Sequence, residues 1–166
     1  MSETAAPSRS APATNFAEDF VVGAIYRHAR GKTVTEMDNV LLTHLVMNTA
    51  EGHFNEHRMR TEAKGLFAQR VVFGGINLSM VIGLAAQDTG EKVIRELGLD
   101  KVRLSHPVFH GDTLYAYSEV LDVREAPQAG ASVVTFKHYG VNQDDALCVE
   151  VERTVLMKTR DWRPVA

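Results

Sequence analysis

The residues best suited to chemistry lie in one polar turn that holds Asn48, Glu51, His53 and Asn55. Further along, the glycine pair Gly74 and Gly75 opens the most apolar run of the chain. An imidazole with an unperturbed pKa of about 6.5 exchanges protons near neutrality. Backbone amides at the start of a helix, reinforced by its dipole, hold negative charge. The stretch therefore offers one group to move a proton and, close behind it, groups to hold an anion. Each feature also has a plainer reading. Any one of the seven histidines is more often a surface or hydrogen-bonded group than a catalyst. Asn48 can cap a helix end, and a glycine pair can simply let a helix approach a strand. Ser79, inside the apolar run, can bond back to a helix carbonyl.

Other polar groups carry weaker signals. Glu51 is the carboxylate nearest His53 in sequence and reads either as an acid partner or as a solvated side chain. His53 and His57 have the i, i+4 spacing of some zinc sites, but no third ligand follows at a fitting distance, so no metal is expected. His106 and His110 flank Pro107-Val-Phe109 ahead of Gly111-Asp112, which reads as the entry to a strand rather than a metal pair. Arg58, Arg60, Lys64 and Arg70 make the connector basic, either as a solvated face or as a place for anionic groups.

The elements that must position these groups follow from patterning. Residues 1–15 are rich in Ser, Ala, Thr and Pro, and too poor in apolar side chains to offset the entropy of ordering; they read as a disordered tail. Phe20–Tyr26 reads as a first strand and His28–Lys32 as a turn. Thr33-Val-Thr-Glu36 has capping-box spacing, and Met37, Val40, Leu41 and Leu45 then recur at helical spacing, predicting an amphipathic helix over 36–47 with Gly52 at its end. A short charged helix is expected over 56–64, closed by Gly65. Gly75–Gln87 is apolar on every side, as expected of a core helix. Glu91–Leu97 reads as another helical turn or two. From Lys101 onward the period changes to two, with strands over 112–124, 132–141 and up to Met157, joined by turns at Pro127–Gly130 and Asn142–Asp145. One buried helix and an antiparallel meander give an α+β fold with the sheet wrapped around the helix, and a free face or edge suited to a second subunit.

Composition narrows the classes. At 166 residues with 45% hydrophobic and 23% charged side chains, the chain reads as one globular domain. A net charge of −3 gives no field that favours nucleic acid or an anionic membrane. No stretch approaches the ~18 consecutive apolar residues of a membrane span. The single cysteine, Cys148, excludes an intramolecular disulfide and points to a reducing cytoplasm.

The run TVTEMDNVLLTHLVMNTAEGHFNEH, continuing to VVFGGINLSMVIGL, resembles the MaoC-like hydratases of the hot-dog fold. HPVFHGDTL and the NQDD turn resemble that family's second signature. The likeness covers about Phe20 to Lys158, within a single domain over 16–160. TVTEMDN, MNTAEGHFN, GLAAQDTG and HPVFHGDTLYAYSEVLDVRE place it nearest the branch acting on C5 dicarboxylic acyl-CoAs, the itaconyl- and mesaconyl-CoA hydratases. The resemblance implies reversible addition of water across an α,β-unsaturated acyl-CoA, with coenzyme A as part of the substrate, no cofactor, and a homodimer or larger homo-oligomer. The family motif pairs an Asp with a His five positions on; here the pair is Asn48 and His53, and an amide cannot act as a base. His53 would then be the main acid/base and Asn48 would orient water through its carbonyl. Gly74 and Gly75 would supply oxyanion amides and Ser79 a substrate-side hydroxyl. Arg58 and Arg70 would be candidates for the CoA phosphates or the substrate's free carboxylate. A hot-dog thioesterase and a non-catalytic acyl-CoA-binding subunit share the fold and stay open as alternatives.

Overall fold

The computed structural model describes residues 9–62 and 67–164. In chain order its elements are β1 (Arg9–Ser10), β2 (Ile25–Thr33), α1 (Glu36–Leu45), α2 (Glu56–Thr61), α3 (Gly74–Thr89), β3 (Val93–Leu104), β4 (Thr113–Glu125), β5 (Ala131–Val141) and β6 (Leu147–Lys158). Short 3₁₀ turns span Ala17–Asp19 and Glu51–His53. The strands form one six-stranded sheet in the order β1-β2-β4-β5-β6-β3. It is antiparallel except where Arg9 and Ser10 run parallel to Tyr26 and Arg27. α3 packs across β2, β4, β5 and β6, giving the expected α+β hot-dog arrangement of a long helix held in a curved sheet.

The period-two pattern sets the inner face of the sheet. On β4 it turns Leu114, Ala116, Ser118 and Val120 inward, all fully buried. Val149, Val151, Val155 and Met157 do the same on β6. Two apolar clusters result. One gathers Val34, Val72, Val108, Leu114, Cys148 and Val149 around Ile76 and Val81, in the first half of α3. The other gathers Phe20, Tyr26, Val120, Phe136 and Met157 at the far end of the sheet.

Between them lies a polar layer. His28 Nδ1 meets Asp88 at 2.6 Å, His28 Nε2 meets Ser118 Oγ at 2.6 Å, and Ser118 Oγ meets His138 Nδ1 at 2.6 Å. A single direction of donation satisfies all three contacts with both rings neutral. His138 Nδ1–H donates to Ser118, Ser118 Oγ–H donates to His28 Nε2, and His28 Nδ1–H donates to Asp88. Arg153, buried at an inward position of β6, donates from Nε to Glu96 at 3.0 Å and from a terminal nitrogen to the Thr89 carbonyl at 3.4 Å. Its charge thus sits at the negative end of the α3 dipole. Burial, with Arg153 and His28 nearby, pushes His138 down to about 3. Burial also lowers His28, against the pull of Asp88.

The unfolded chain therefore binds protons between about pH 6.5 and 3 that the folded chain refuses, so stability rises with pH across that window. For His138 the slope is up to about 1.4 kcal/mol per pH unit, and His28 acts in the same direction. Urea midpoints should fall between pH 7 and pH 5, and His138→Gln should flatten the fall. A midpoint that stays level over that range would contradict the layer's neutral protonation.

Several boundaries differ from those expected. The strand expected over Phe20–Tyr26 is β2, Ile25–Thr33, so His28–Lys32 is sheet rather than turn; Phe20 instead follows a 3₁₀ turn and fills the second cluster against Phe136. The capping box closes two residues later than expected, between Thr35 and Asp38. Glu91–Leu97 is not helical: Val93–Leu104 forms β3, paired with β6 through three bulges that a residue-by-residue period does not foresee. Of the expected tail, residues 1–8 lie outside the described residues, while Arg9 and Ser10 join the sheet. Lys64 and Gly65, at the expected end of the second helix, lie outside them too.

Two helices expose what their patterns suggested they would bury. In α1, Met37, Leu41 and Leu45 point outward, with Met37 69% exposed, and Asn39 and Thr43 are buried instead. α3 buries Ile76, Asn77, Val81, Ala85 and Thr89, while Ser79, Gly83 and Gln87 face outward. A helix lying in a concave sheet presents one side to it, and the opposite side stays open.

Candidate active site

The polar turn is built by the way α1 ends. Met47 takes a left-handed conformation at φ 57°. Asn48 N–H then reaches back to the Thr43 carbonyl at 3.0 Å, and Met47 N–H to that of His44. This is a Schellman-type stop made without the glycine expected there; Gly52 lies inside the following 3₁₀ turn instead. Asn48 Oδ1 accepts the Ala50 N–H at 2.9 Å. The Asn48 backbone thus takes part in the helix stop while its side-chain carbonyl closes a local Asx turn, which leaves one lone pair and two N–H donors on the side chain.

The extended segment Arg70–Phe73 carries the turn to the head of α3. Val71 N–H donates to the Gly52 carbonyl at 3.1 Å and Val72 N–H to that of Val108 at 2.8 Å. The Val71 carbonyl lies 2.9 Å from His53 Nδ1. A carbonyl only accepts, so Nδ1 carries a proton, and in the neutral ring Nε2 keeps its lone pair. His53 is half-buried, with its ring 5.4 Å from that of Phe73. Phe73 is the N-cap of α3 and supplies no side-chain cap. Gly74 and Gly75 hold the first two helical positions, whose N–H groups have no intrahelical acceptor. A Cβ at Gly74 would run into the Leu104 side chain, and one at Gly75 would lie 2.7 Å from the Phe73 ring. The His53 ring thus meets the segment that leads into α3, through the Val71 carbonyl and the Phe73 ring.

The other candidates are placed differently. Ser79 is exposed, and its hydroxyl donates to the Gly75 carbonyl at 2.8 Å, the plain back-bonding alternative. Arg58 donates to Glu62 at 3.0 Å and also pairs with Glu51. Arg70, only 15% exposed, donates to Glu56 at 2.9 Å and Glu36 at 3.0 Å. Both guanidiniums are matched by two carboxylates, so neither stands ready for an anionic substrate as expected. The basic look of the connector came from counting cations without their acidic partners. Glu51, hydrogen-bonded by Arg58, is held below the usual carboxylate range; it stays ionised and does not serve as a proton donor. Among the described residues no three His, Cys, Asp or Glu side chains converge as a metal cage would require.

One residue of the site was not singled out from the sequence, and another, His110, was read only as part of a strand entry. Asn39, fully buried on α1, contacts the His53 turn, the head of α3 and His110 together. His110 comes from the loop before β4, with its pKa lowered by burial and by the charge of Arg70. The only sequence signal for Asn39 was a polar residue among apolar ones at helical spacing, which normally marks a solvent face.

The family model described as mesaconyl-CoA hydratase matches residues 9–159. The chain is 31% identical over 159 residues to a beta-methylmalyl-CoA dehydratase from Chloroflexus aurantiacus, covering 86% of this chain and 44% of that one. It is 32% identical over 136 residues to a mesaconyl-CoA hydratase from Haloarcula marismortui, covering 80% and 36%. A solved structure from C. aurantiacus, described as a MaoC domain dehydratase, superposes with a TM-score of 0.78 at 28% identity, covering 87% of this chain and 45% of the other. The chain thus spans less than half the length of each of these proteins. With both signatures folded into one helix-in-sheet domain, the chain belongs to the mesaconyl-CoA hydratase family.

Proposed function

We propose that the protein is a hydro-lyase that adds water reversibly across the double bond of an unsaturated C5 dicarboxylic acyl-CoA, mesaconyl-CoA or itaconyl-CoA. The observation that carries this reading is the locked tautomer of His53. With Nδ1–H held by the Val71 carbonyl, the basic Nε2 is left for substrate, next to the head of α3. Water gives a proton to Nε2 as its oxygen bonds the β-carbon, and the π electrons move onto the thioester oxygen. The amides of Gly74 and Gly75 stabilise that oxygen. The enolate then collapses and the α-carbon takes a proton back from His53, restoring the neutral ring. This cycle balances without a cofactor, coenzyme A entering and leaving as part of the substrate.

Asn48 replaces the aspartate that would otherwise share the proton work, so its amide serves to orient water or substrate. A groove of about 360 Å³ runs beside the open side of α3, between Met80, Gly83 and Leu84, with Arg30 and Lys32 of β2 at its rim. Its lining on α3 runs from about 9 Å to about 20 Å past Gly74, from Met80 to Gln87, at 1.5 Å of rise per residue, a span suited to a pantetheine arm with the CoA phosphates near Arg30, Lys32 being paired with Asp38.

A second copy of the chain completes the site in this reading. β3 is an edge strand with Leu97, Leu99, Val102 and Leu104 exposed, and α1 exposes Met37, Leu41 and Leu45. Long apolar edges are normally paired. In this reading a second protomer covers these faces, and a cytoplasmic location goes with the free, buried Cys148. Purified protein should run as a dimer or larger and consume the enoyl-thioester absorbance of mesaconyl- or itaconyl-CoA without releasing thiol. Release of free CoA would favour the thioesterase, which is less well served because the first turn of α3 carries no acidic side chain. No change in either signal would favour a binding subunit.

A further inference from the structure

We propose that Asn39 is a positioning residue of this site, one amide that sets the register of the His53 turn, the head of α3 and His110. The inference rests on the hydratase reading for its kinetic consequence but not for its geometry. Asn39 lies on the inward side of α1 and is fully buried. Its Oδ1 accepts the Phe73 N–H at 3.1 Å and the Thr43 hydroxyl at 3.3 Å. Both partners are donors here, so the oxygen must face them and the NH₂ must face the other way.

On that side Nδ2 donates to the His53 carbonyl at 2.7 Å and meets His110 Nε2 at 3.0 Å. The second contact requires His110 Nε2 to be unprotonated, which makes His110 neutral with its proton on Nδ1. One side chain thus uses all its bonding groups to join three segments far apart in sequence. Two of them carry the reacting groups. Tethering the His53 carbonyl fixes the turn whose ring holds the base, and tethering Phe73 N–H fixes the residue that precedes the Gly74 and Gly75 amides. The distance from base to oxyanion amides is then set by the width of one carboxamide.

Asn39→Asp tests this with almost no change of shape. The carboxylate still accepts from Phe73 and Thr43, but its second oxygen now faces two acceptors, the His53 carbonyl and His110 Nε2. The His53 turn is pushed off, and His110 gains a proton to answer the new charge. The charges already around His110 are Arg70, which disfavours that proton, and Glu36 and Glu56, which favour it. Nitrogen-15 NMR of the histidine rings in the full-length protein reads these states directly. In the wild type, His110 should carry its proton on Nδ1 with Nε2 bare, and His53 likewise. In Asn39→Asp, His110 should be doubly protonated at neutral pH and His53 should lose its single tautomer.

If the hydratase reading holds, kcat of Asn39→Asp should fall about a hundredfold, the cost of displacing a reacting group by ~1 Å, with KM changed by less than about threefold. A wild-type His110 protonated on Nε2 would overturn the proposal even if the variant failed to fold. A folded variant with wild-type His53 tautomer and wild-type kcat would overturn it as well. If the wild type hydrates none of the acyl-CoAs, the hydratase reading fails while the ring-nitrogen spectra still decide the role of Asn39.

Discussion

His53→Ala is expected to lower the rate of water addition by about 10²–10⁴-fold, the usual contribution of a positioned general acid/base. The effect should fall on kcat, with KM little changed, because in the proposed mechanism the imidazole meets the attacking water rather than the parts of the substrate that supply binding. The fold should survive. His53 is half-buried, and its side chain spans only the bond to the Val71 carbonyl; the turn itself keeps the Asn39 and Gly52 contacts through the backbone. Hydration rates should therefore be compared at matched thermal midpoints. Glu51→Gln is the companion control: its carboxylate is tied to Arg58 at an exposed position, and its loss should leave kcat within about threefold. A folded His53→Ala protein that hydrates at the wild-type rate would move the base elsewhere.

The second large effect concerns the seat of α3 on the sheet. Gly140 lies on β5 directly beneath the helix. A Cβ there would strike the Val81 side chain and lie 3.3 Å from Val149 Cβ. Val81 is β-branched, held in a helix and fully buried, so its methyl group has few ways to give. Gly140→Ala should cost about 1–3 kcal/mol through overpacking, a fall of about 2–4 °C in Tm per kcal/mol for a chain of this size. Val81→Ala alone should also destabilise, by leaving a cavity. The double variant should recover stability relative to the sum of the two, with a coupling of about 0.5–3 kcal/mol. Strict additivity would mean that α3 does not rest on Gly140.

Both experiments probe one construction. α3 is seated on the sheet by Gly140 and Val81. Its first amides meet the turn ending in His53 through the Arg70–Phe73 segment, and its last carbonyls meet Arg153 in the polar layer. Shifting the helix along its axis would disturb the Gly74 and Gly75 amides and the buried His28–Ser118–His138 chain together. Stability and the geometry of the proposed site are therefore coupled through α3 even for substitutions remote from His53.

Much of this was legible in one dimension because the signals are local. The strands β4 to β6 follow from alternation and turn residues. α1 follows from helical spacing, although the box that starts it joins Thr35 and Asp38 rather than Thr33 and Glu36, and the His53 turn and the Gly74–Gly75 helix start follow from motif spacing. β3 was missed because its bulges scramble the period that identifies a strand. β2 was displaced because Gly31 reads as a turn, whereas here its lack of a side chain admits the Tyr115 ring, 2.5 Å from where a Cβ would be.

What the residue order could not carry was partnership. Whether Arg58 and Arg70 are free cations depends on Glu51, Glu62, Glu36 and Glu56 reaching them, and that is decided by the folding of the connector. Whether α1 turns its leucines or Asn39 inward depends on three segments arriving with donors and acceptors that only a carboxamide satisfies, which outweighs the apolar stripe. The chemistry proposed for the site rests, in the order of residues, on a histidine followed by two glycines. The alignment of that histidine with those amides is a property of the folded chain, because the groups that hold it come from segments distant in sequence.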